Sequence, residues 1–264
     1  MKDGYCRSSC SFLVAAIFHF LCLQAVYAMN TGPTIEMSAD KVEINSFYHG
    51  TEITLHGTVP ATSKVALLLL GERKEHVLKQ KGKVGPLWMN VGTVTIQDAP
   101  EMYFLLTSAD TVEELAAPEV LIQYCIGYDA LRESAVITQE NSNSDLIFRE
   151  FIKLKENMGL YNVFSHSITL RSADEGSTEF KVSIPIPALA PPGEYEVSLY
   201  CFEKGQLASN VSTKLIVEKV GLPKKLSALA FDHAAMYGVV AIVVAMAVGL
   251  FMGFLFGSKG KGGH

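Results

Sequence analysis

The stretch PPGEYEVSLYCF, from Pro191 to Phe202, is the part of the chain that best defines its fold. The Pro-Gly pair is typical of a turn, and the residues after it alternate between polar and apolar, which is the pattern of a half-buried β-strand. Glu203-Lys204-Gly205-Gln206 then predicts a hairpin turn, with Thr213–Glu218 as the partner strand. Such a closing hairpin is typical of the end of an immunoglobulin-like sandwich.

The segment 34–108 also contains short strand-like segments separated by glycine and proline. Ile53–Gly57 alternates, whereas Lys64–Leu70 is a short apolar run of the kind that suits a central strand. Met102–Thr107 ends the series. Because this part of the chain has no closing hairpin of its own, we expect one β-sandwich rather than two. The sequence therefore predicts a mainly β, immunoglobulin-like sandwich.

A helical insertion is predicted at about 112–159, where the hydrophobic period changes. After a polar stretch at 134–144 that predicts a loop, Ser144-Asp145 suits a helix start. Ile147, Phe151, Leu154 and Met158 then fall on one helical face, and Gly159 suits the end. The opposite face holds charged residues, among them Lys155, that we expect to be solvated.

The first 28 residues have the layout of a secretory signal peptide. Lys2 and Arg7 precede an apolar run from Phe12 to Val26, and small or tolerated residues allow cleavage after Ala28. The run is shorter than the roughly 20 residues that a membrane-spanning helix needs. We therefore expect cleavage, and an exported domain that covers 29–222.

The C-terminal region predicts a membrane anchor. The segment 234–257 contains no charged residue and is long enough to cross a bilayer. Residues 223–233 predict a short juxtamembrane helix, and 258–264 form a tail with Lys259 and Lys261. Since a cleaved signal peptide exports the N terminus, we expect one span with its tail in the cytoplasm, where lysine is favoured.

Charge and motifs narrow the function classes. The formal net charge is −5 and no basic stripe is present, which argues against nucleic-acid binding. The chain lacks G-x-S-x-G, H-E-x-x-H, P-loop and G-x-G-x-x-G motifs, and no two histidines have ligand spacing on one helix. We expect no enzyme activity, no cofactor and no metal site.

Two cysteines, Cys125 and Cys201, remain after removal of the signal peptide. A disulfide between them is permitted outside the cytoplasm and would contribute about 4 kcal/mol on the chain-entropy model. Apolar neighbours flank both residues, so two buried thiols are the alternative.

The densest group of unusual residues lies in a basic segment that contains the only tryptophan. Clustered cations followed by an aromatic residue are a candidate site for a small anion, such as an oxyanion of sulfur. The alternative is an edge hairpin whose lysines prevent edge-to-edge pairing and whose tryptophan is core. The candidate anion-binding residues are Arg73, Lys74, Lys79, Lys81, Lys83 and Trp88.

Small residues recur every fourth position along the predicted membrane helix. Close approach of two backbones is what allows helices to associate in lipid, so this face is a candidate helix–helix interface. It predicts a partner in the membrane, either a second copy of the chain or another membrane protein. The residues of this stripe are Ala241, Ala245, Gly249, Gly253 and Gly257.

Several short motifs occur in an order that resembles a known family. They are Arg73-Lys74, Gly85-x-x-Trp88-Met89-Asn90, Ala99-Pro100-x-Met102-Tyr103, Ile126-Gly127-Tyr128-Asp129-Ala130-Leu131, Phe148-Arg149-x-x-x-Lys153-Leu154, Pro192-Gly193-x-Tyr195-x-Val197, Glu203-Lys204-Gly205, Val217-x-Lys219-Val220-Gly221 and Tyr237-Gly238. Together they resemble the putative transmembrane protein family described mainly from alphaproteobacteria.

Members of that family are typically encoded beside permeases of the sulfite/sulfonate exporter type. The resemblance implies a bacterial inner-membrane protein with a periplasmic domain, acting as an accessory protein to a transporter of sulfur oxyanions or similar small anions. It supplies no catalytic residues. A periplasmic protein that binds an anion or a metal is the alternative function.

Overall fold

The computed structural model describes residues 32–138, 144–173 and 177–257. The predicted signal peptide at 1–28 and the predicted tail at 258–264 lie outside these ranges. Strands are the commonest element of the described chain. They are β1 (Glu36–Met37), β2 (Lys41–Ile44), β3 (Thr51–Pro60), β4 (Lys64–Leu70), β5 (Arg73–Val84), β6 (Leu87–Pro100), β7 (Tyr103–Thr107), β8 (Val136–Thr138), β9 (Tyr161–Phe164), β10 (Thr169–Ser172), β11 (Ser177–Ile186), β12 (Gly193–Glu203) and β13 (Gln206–Lys219).

A six-stranded sheet with the order β2-β13-β12-β4-β7-β9 forms the larger layer. The strand predicted from the Pro-Gly turn is β12, and it pairs antiparallel with β13 on one side and with β4 on the other. The central β4 is buried from Val65 to Leu69, as expected for a strand covered on both faces. Each outer strand, β2 and β9, pairs parallel to its neighbour.

A four-stranded sheet with the order β1-β3-β11-β10 forms the second layer. Along β11, Phe180, Val182 and Ile184 are buried while the residues between them are exposed or half-buried, which is the alternation of a strand with one face on a core. These residues join Leu199 and Leu215 of the larger sheet in one hydrophobic cluster. The predicted mainly β fold, with one apolar helix at its C-terminal end, is confirmed.

The helical insertion lies between β7 and β9. It contains a 3-10 turn (Val112–Glu114), α1 (Pro118–Gln123), α2 (Tyr128–Ser134), strand β8 and α3 (Ser144–Asn157). The backbone breaks between α1 and α2, where Cys125 and Gly127 have positive φ angles of 54° and 95°. Helices α1 to α3 all lie in the predicted region, but strand β8 forms within the stretch 134–144 that the sequence predicts to be a loop.

The buried face of α3 differs from the prediction. Phe151 is buried as expected, but Leu154 and Met158 are exposed. Phe148, Ile152 and Lys155 take their place, so the expectation of a solvated Lys155 is wrong. The buried positions i, i+3, i+4 and i+7 form a face rotated from the predicted stripe, with the Lys155 ammonium over the rings of Phe151 and Tyr161.

The third sheet, β5-β6-β8, leaves the sandwich at the end from which the membrane helix also departs. Leu70 at the end of β4 pairs with both Glu196 and Tyr103, and the start of β12 at Gly193 pairs with Val217 near the end of β13. The chain then enters α4 (Gly221–Asp232) and α5 (Ala234–Gly257). The strand register therefore places the root of the β5–β6 hairpin and the anchor at one end of the sandwich.

Candidate functional site

The β5–β6 hairpin is largely exposed at its outer end. Val84 pairs with Leu87, so Gly85 and Pro86 form a two-residue turn. Gly85 has a φ of 61°, which the first position of a type II′ turn requires. Strand β8 pairs with β6 only from Thr95 to Gln97. Beyond that point, from Val77 to Val84 along β5, the hairpin extends about 23 Å further, at about 3.3 Å per residue, as a two-stranded ribbon. We call residues 79–93 the hairpin tip.

One face of the tip carries a row of three lysines, Lys79, Lys81 and Lys83, which we call the lysine row. They fall on one face because they alternate along β5, and Lys83 lies opposite Trp88. Lys79 Nζ donates a hydrogen bond to Thr93 Oγ1 at 3.0 Å. Within the described chain, none of the three lysines is within ion-pair distance of a carboxylate.

The other face of the tip is apolar and exposed. It consists of Val84, Leu87, Met89 and Val91, which we call the apolar face. Leu87 is 65% exposed and the adjoining Trp88 is 72% exposed. The β6 strand has a bulge at Val91, opposite Gln80 and Lys81. A Cβ at Gly82 would lie 2.6 Å from Val91 Cγ2, so the glycine leaves room for the Val91 side chain to pack over β5. The alternative in which Trp88 is a core residue is wrong.

Arg73 and Lys74 lie at the root of the hairpin, about 30 Å of strand away from Lys83. Arg73 Nη1 donates to the backbone oxygen of Asp98 at 2.8 Å and lies 3.3 Å from its carboxylate. Lys74 Nζ lies 3.0 Å from Glu101 Oε2. The structure thus separates the six candidate anion-binding residues into an ion-paired root and an unpaired tip, which holds the lysine row and Trp88.

A buried aromatic group secures the root to α3. The Phe151 ring lies 5.3 Å from the His76 ring and 5.8 Å from the Tyr161 ring. Lys155 Nζ lies 5.6 Å from the Phe151 ring centre and donates to the backbone oxygen of Glu101 at 3.2 Å. Burial lowers the pKa of Lys155 because the charged ammonium is removed from water.

His76 makes the root sensitive to acid. Its Nε2 lies 3.1 Å from the backbone oxygen of Ala99. Burial, followed by the charge of Lys155, lowers its pKa below 6.5. The contribution of His76 to the free energy of unfolding is therefore fully present above pH 6.5. It is lost as the pH falls toward the lowered pKa of the folded state, by at most about 1.4 kcal/mol per pH unit. We expect His76→Gln to reduce the decrease in the free energy of unfolding between pH 7 and pH 5, measured by urea unfolding. A variant that loses stability with acid as steeply as the original chain would contradict this assignment.

The two cysteines are both free thiols in the structure. Cys201 is buried near the end of β12, and burial raises its thiol pKa to about 11. Cys125 follows α1, and its sulfur lies 3.1 Å from Arg73 Nη2. Cys201 matches the alternative of a buried thiol, whereas Cys125 is only half-buried.

The membrane helix presents its small-residue stripe to no other part of the described chain. Helix α5 is apolar along its length and long enough to cross a membrane, and the rest of the described chain buries none of its apolar stretch. Ala241 and Ala245 are exposed, and a Cβ built on Gly249 or Gly253 would meet nothing within 4 Å. Gly257 is the last residue of the helix. The stripe is therefore open to a second helix.

Sequence reasoning missed the apolar face of the tip. The pattern that could have shown it is the apolar residues on both sides of Gly85-Pro86, read as a single hairpin with a type II′ turn. Among the residues at 32–138, 144–173 and 177–257, no group of three His, Cys, Asp or Glu side chains could hold a metal ion.

These features define a mainly β membrane protein with one candidate spanning helix near its C terminus. The family model described as "Putative transmembrane protein" (Alph_Pro_TM) matches residues 34–258, and the chain belongs to this family. Comparison with curated proteins finds no match. The resemblance noted in the sequence is thereby confirmed at the level of the family.

Proposed function

We propose that the protein is a non-enzymatic accessory subunit that pairs with another membrane protein through α5. The observation that carries this proposal is the open stripe of small residues on a helix that no other element covers. Helices in lipid associate where small side chains let their backbones approach, and Gly249 and Gly253 provide such a place. The β domain would then be held beside the partner.

The proposal includes a location and a class of partner. A signal peptide at 1–28 and lysines after the span would place the domain in the periplasm and the tail in the cytoplasm. A transporter of sulfur oxyanions or similar small anions is the partner class that the family resemblance implies. The lysine row supports it, because three unpaired cations raise the local concentration of small anions.

Substitution in the stripe tests the pairing. We expect Gly253→Leu to weaken co-purification with the partner, or self-association, about tenfold, or about 1.4 kcal/mol, because the side chain separates the two backbones. Ala247→Leu is the matched control, since Ala247 lies on the opposite side of α5. Both variants are compared by pull-down from mild detergent, with an anchor-truncated chain as the blank. If the two variants retain the partner equally well, the small-residue stripe is not the interface.

A second candidate function is anion binding by the domain itself, favoured by the absence of carboxylate partners for the lysine row in the described chain. We expect sulfite or sulfate to raise the melting temperature of the full chain in detergent if this is correct. Lys81→Gln with Lys83→Gln should remove that rise. A domain that melts at the same temperature with and without anions, while co-purification persists, supports the accessory role instead.

A further inference from the structure

We propose that the hairpin tip is a second membrane contact. Its apolar face enters the boundary between lipid headgroups and acyl chains, and its lysine row binds anionic phospholipid headgroups. The bilayer in question is the one that holds α5. This inference requires α5 to be an anchor, and it does not depend on whether α5 has a partner helix.

The position of the hairpin supports a membrane contact. The root at Arg73 and the exit of β13 at Lys219 lie at the same end of the sandwich, as the strand register shows. Helix α4 has 12 residues, so it separates that end from α5 by at most about 18 Å. Strand β5 also has 12 residues but extends about 40 Å. The hairpin is therefore long enough to reach the bilayer surface.

The chemistry of the tip fits the membrane interface better than it fits a dissolved anion. A dissolved anion would use the lysine row and leave Leu87, Met89 and Val91 facing water. The headgroup region satisfies both faces, because apolar groups lie below it and phosphates lie within it. Trp88 is the residue type enriched at that depth, and it lies beside Lys83 across the strands.

The backbone limits how deep the tip can go. Beyond Thr95 the outer edge of β6 has no partner strand among the described residues, and β5 likewise pairs only with β6. Unpaired backbone N–H and C=O groups are costly in the hydrocarbon core but can bind water and headgroups at the interface. The expected insertion is therefore shallow, within about 5–10 Å of the headgroup boundary.

The single tryptophan of the chain provides a direct measurement. The full-length protein is placed in nanodiscs that contain phosphatidylcholine with or without phosphatidylglycerol. We expect the emission of Trp88 to shift to shorter wavelength in the anionic discs. We also expect lipids brominated near the headgroup end of the acyl chain to quench it more strongly than lipids brominated near the chain terminus.

Two sets of substitutions test the lysine row and the apolar face separately. Lys79→Gln, Lys81→Gln and Lys83→Gln together should reduce bromolipid quenching at least twofold, whereas the same change at Lys181, Lys204 and Lys214 should not. Leu87→Asn with Met89→Asn should abolish the quenching, with Leu189→Asn as the exposed control. Far-UV circular dichroism verifies that every variant is folded.

The proposal is overturned if lipid bromine does not quench Trp88 in anionic discs, or if the lysine substitutions leave the quenching unchanged. Shielding of Trp88 from iodide that appears only after other membrane proteins are added, without lipid quenching, would assign the tip to a protein partner. That result would also overturn the lipid contact. None of these outcomes depends on the α5 pairing test, so the two proposals can fail separately.

Discussion

Replacing Phe151 with alanine is expected to remove about 3–5 kcal/mol from the free energy of unfolding. The side chain is 1% exposed, and its ring contacts aromatic rings from three directions: His76 of β5, Phe148 of the same helix and Tyr161 of β9. Alanine leaves a cavity among them that rigid strands on two sides cannot close. It also leaves Lys155 without the ring over which its ammonium lies.

Leu154→Ala provides the matched control for this prediction. Leu154 lies in the same helix but is 43% exposed, so its truncation should change stability by no more than about 0.5 kcal/mol. The measurement is urea unfolding of the full chain in mild detergent, followed by far-UV circular dichroism. Trp88 fluorescence is unsuitable because that residue is exposed at the tip. Similar losses in both variants would show that the aromatic group does not secure the hairpin root.

The closing strands of the sandwich could be predicted from the sequence because their determinants are local. The turn at Pro191–Gly193, the alternation that follows and the turn at Lys204-Gly205 are each encoded within a few residues. They appear in the structure as β12, a two-residue connection and β13. The uninterrupted apolar run and the absence of charge defined α5 in the same way.

The hairpin could not be predicted to its full length because glycines interrupt its local pattern. Gly82 looks like a turn residue in the sequence, yet it lies inside β5 and makes room for Val91 of the opposite strand. Its function depends on a cross-strand neighbour nine residues away. The single tryptophan was ambiguous for a related reason, since a large aromatic residue in an alternating strand suits a core equally well.

Lys155 shows a second limit. A lysine in a helix with charged neighbours is usually solvated, and the sequence places Glu156 beside it. The structure instead covers its stem with Phe151 and Tyr161 and leaves the ammonium bound to the backbone oxygen of Glu101. Long cationic side chains bury their stems wherever apolar surface is available. That surface comes from β9 and the hairpin root, which no local pattern in α3 specifies.

The protein is expected to unfold steeply in alkali, because three tyrosines are buried almost completely. Tyr103, Tyr161 and Tyr195 are each at most 1% exposed. Burial raises the pKa of each phenol well above its ordinary value near 10, since a phenolate would lose its hydration. Tyr103 is also fixed by two backbone groups, accepting from Gly127 N at 2.7 Å and donating to the oxygen of Cys125 at 3.0 Å.

Whether stability rises or falls with pH depends on whether the folded or the unfolded chain binds more protons. Above pH 10 the unfolded chain loses these three phenolic protons while the folded chain keeps them. The stability they contribute is therefore complete below pH 10 and is lost as the pH rises. The loss approaches about 1.4 kcal/mol per pH unit for each phenol, or about 4 kcal/mol per pH unit for three. Cys201, whose pKa burial raises to about 11, adds to the loss between pH 9 and 11.

Lys155 has the opposite effect on stability in the same alkaline pH range. Burial lowers its pKa, so its neutralisation in the folded state favours folding until the unfolded lysine also titrates near 10.5. Beyond that pH Lys155 no longer offsets the loss of stability caused by the phenols and Cys201. The slope of stability against pH should therefore be steepest above pH 10.5, and it should be measured there by urea unfolding at closely spaced pH values.

Replacing single buried tyrosines with phenylalanine tests how many phenolic protons determine the slope of stability against pH. Tyr161→Phe and Tyr195→Phe should each reduce the slope above pH 10.5 by about one proton, or about 1.4 kcal/mol per pH unit, and the double variant by two. Each variant loses a hydrogen bond to a backbone oxygen, of Pro100 or of Pro191, which lowers stability at every pH but does not change the slope. Phenolate absorbance at 295 nm should lag in the folded protein and rise abruptly on unfolding. A double variant with the slope of the original chain would show that these phenols reach water in the folded state, and the aromatic group at the hairpin root would then have to be looser than its ring contacts indicate.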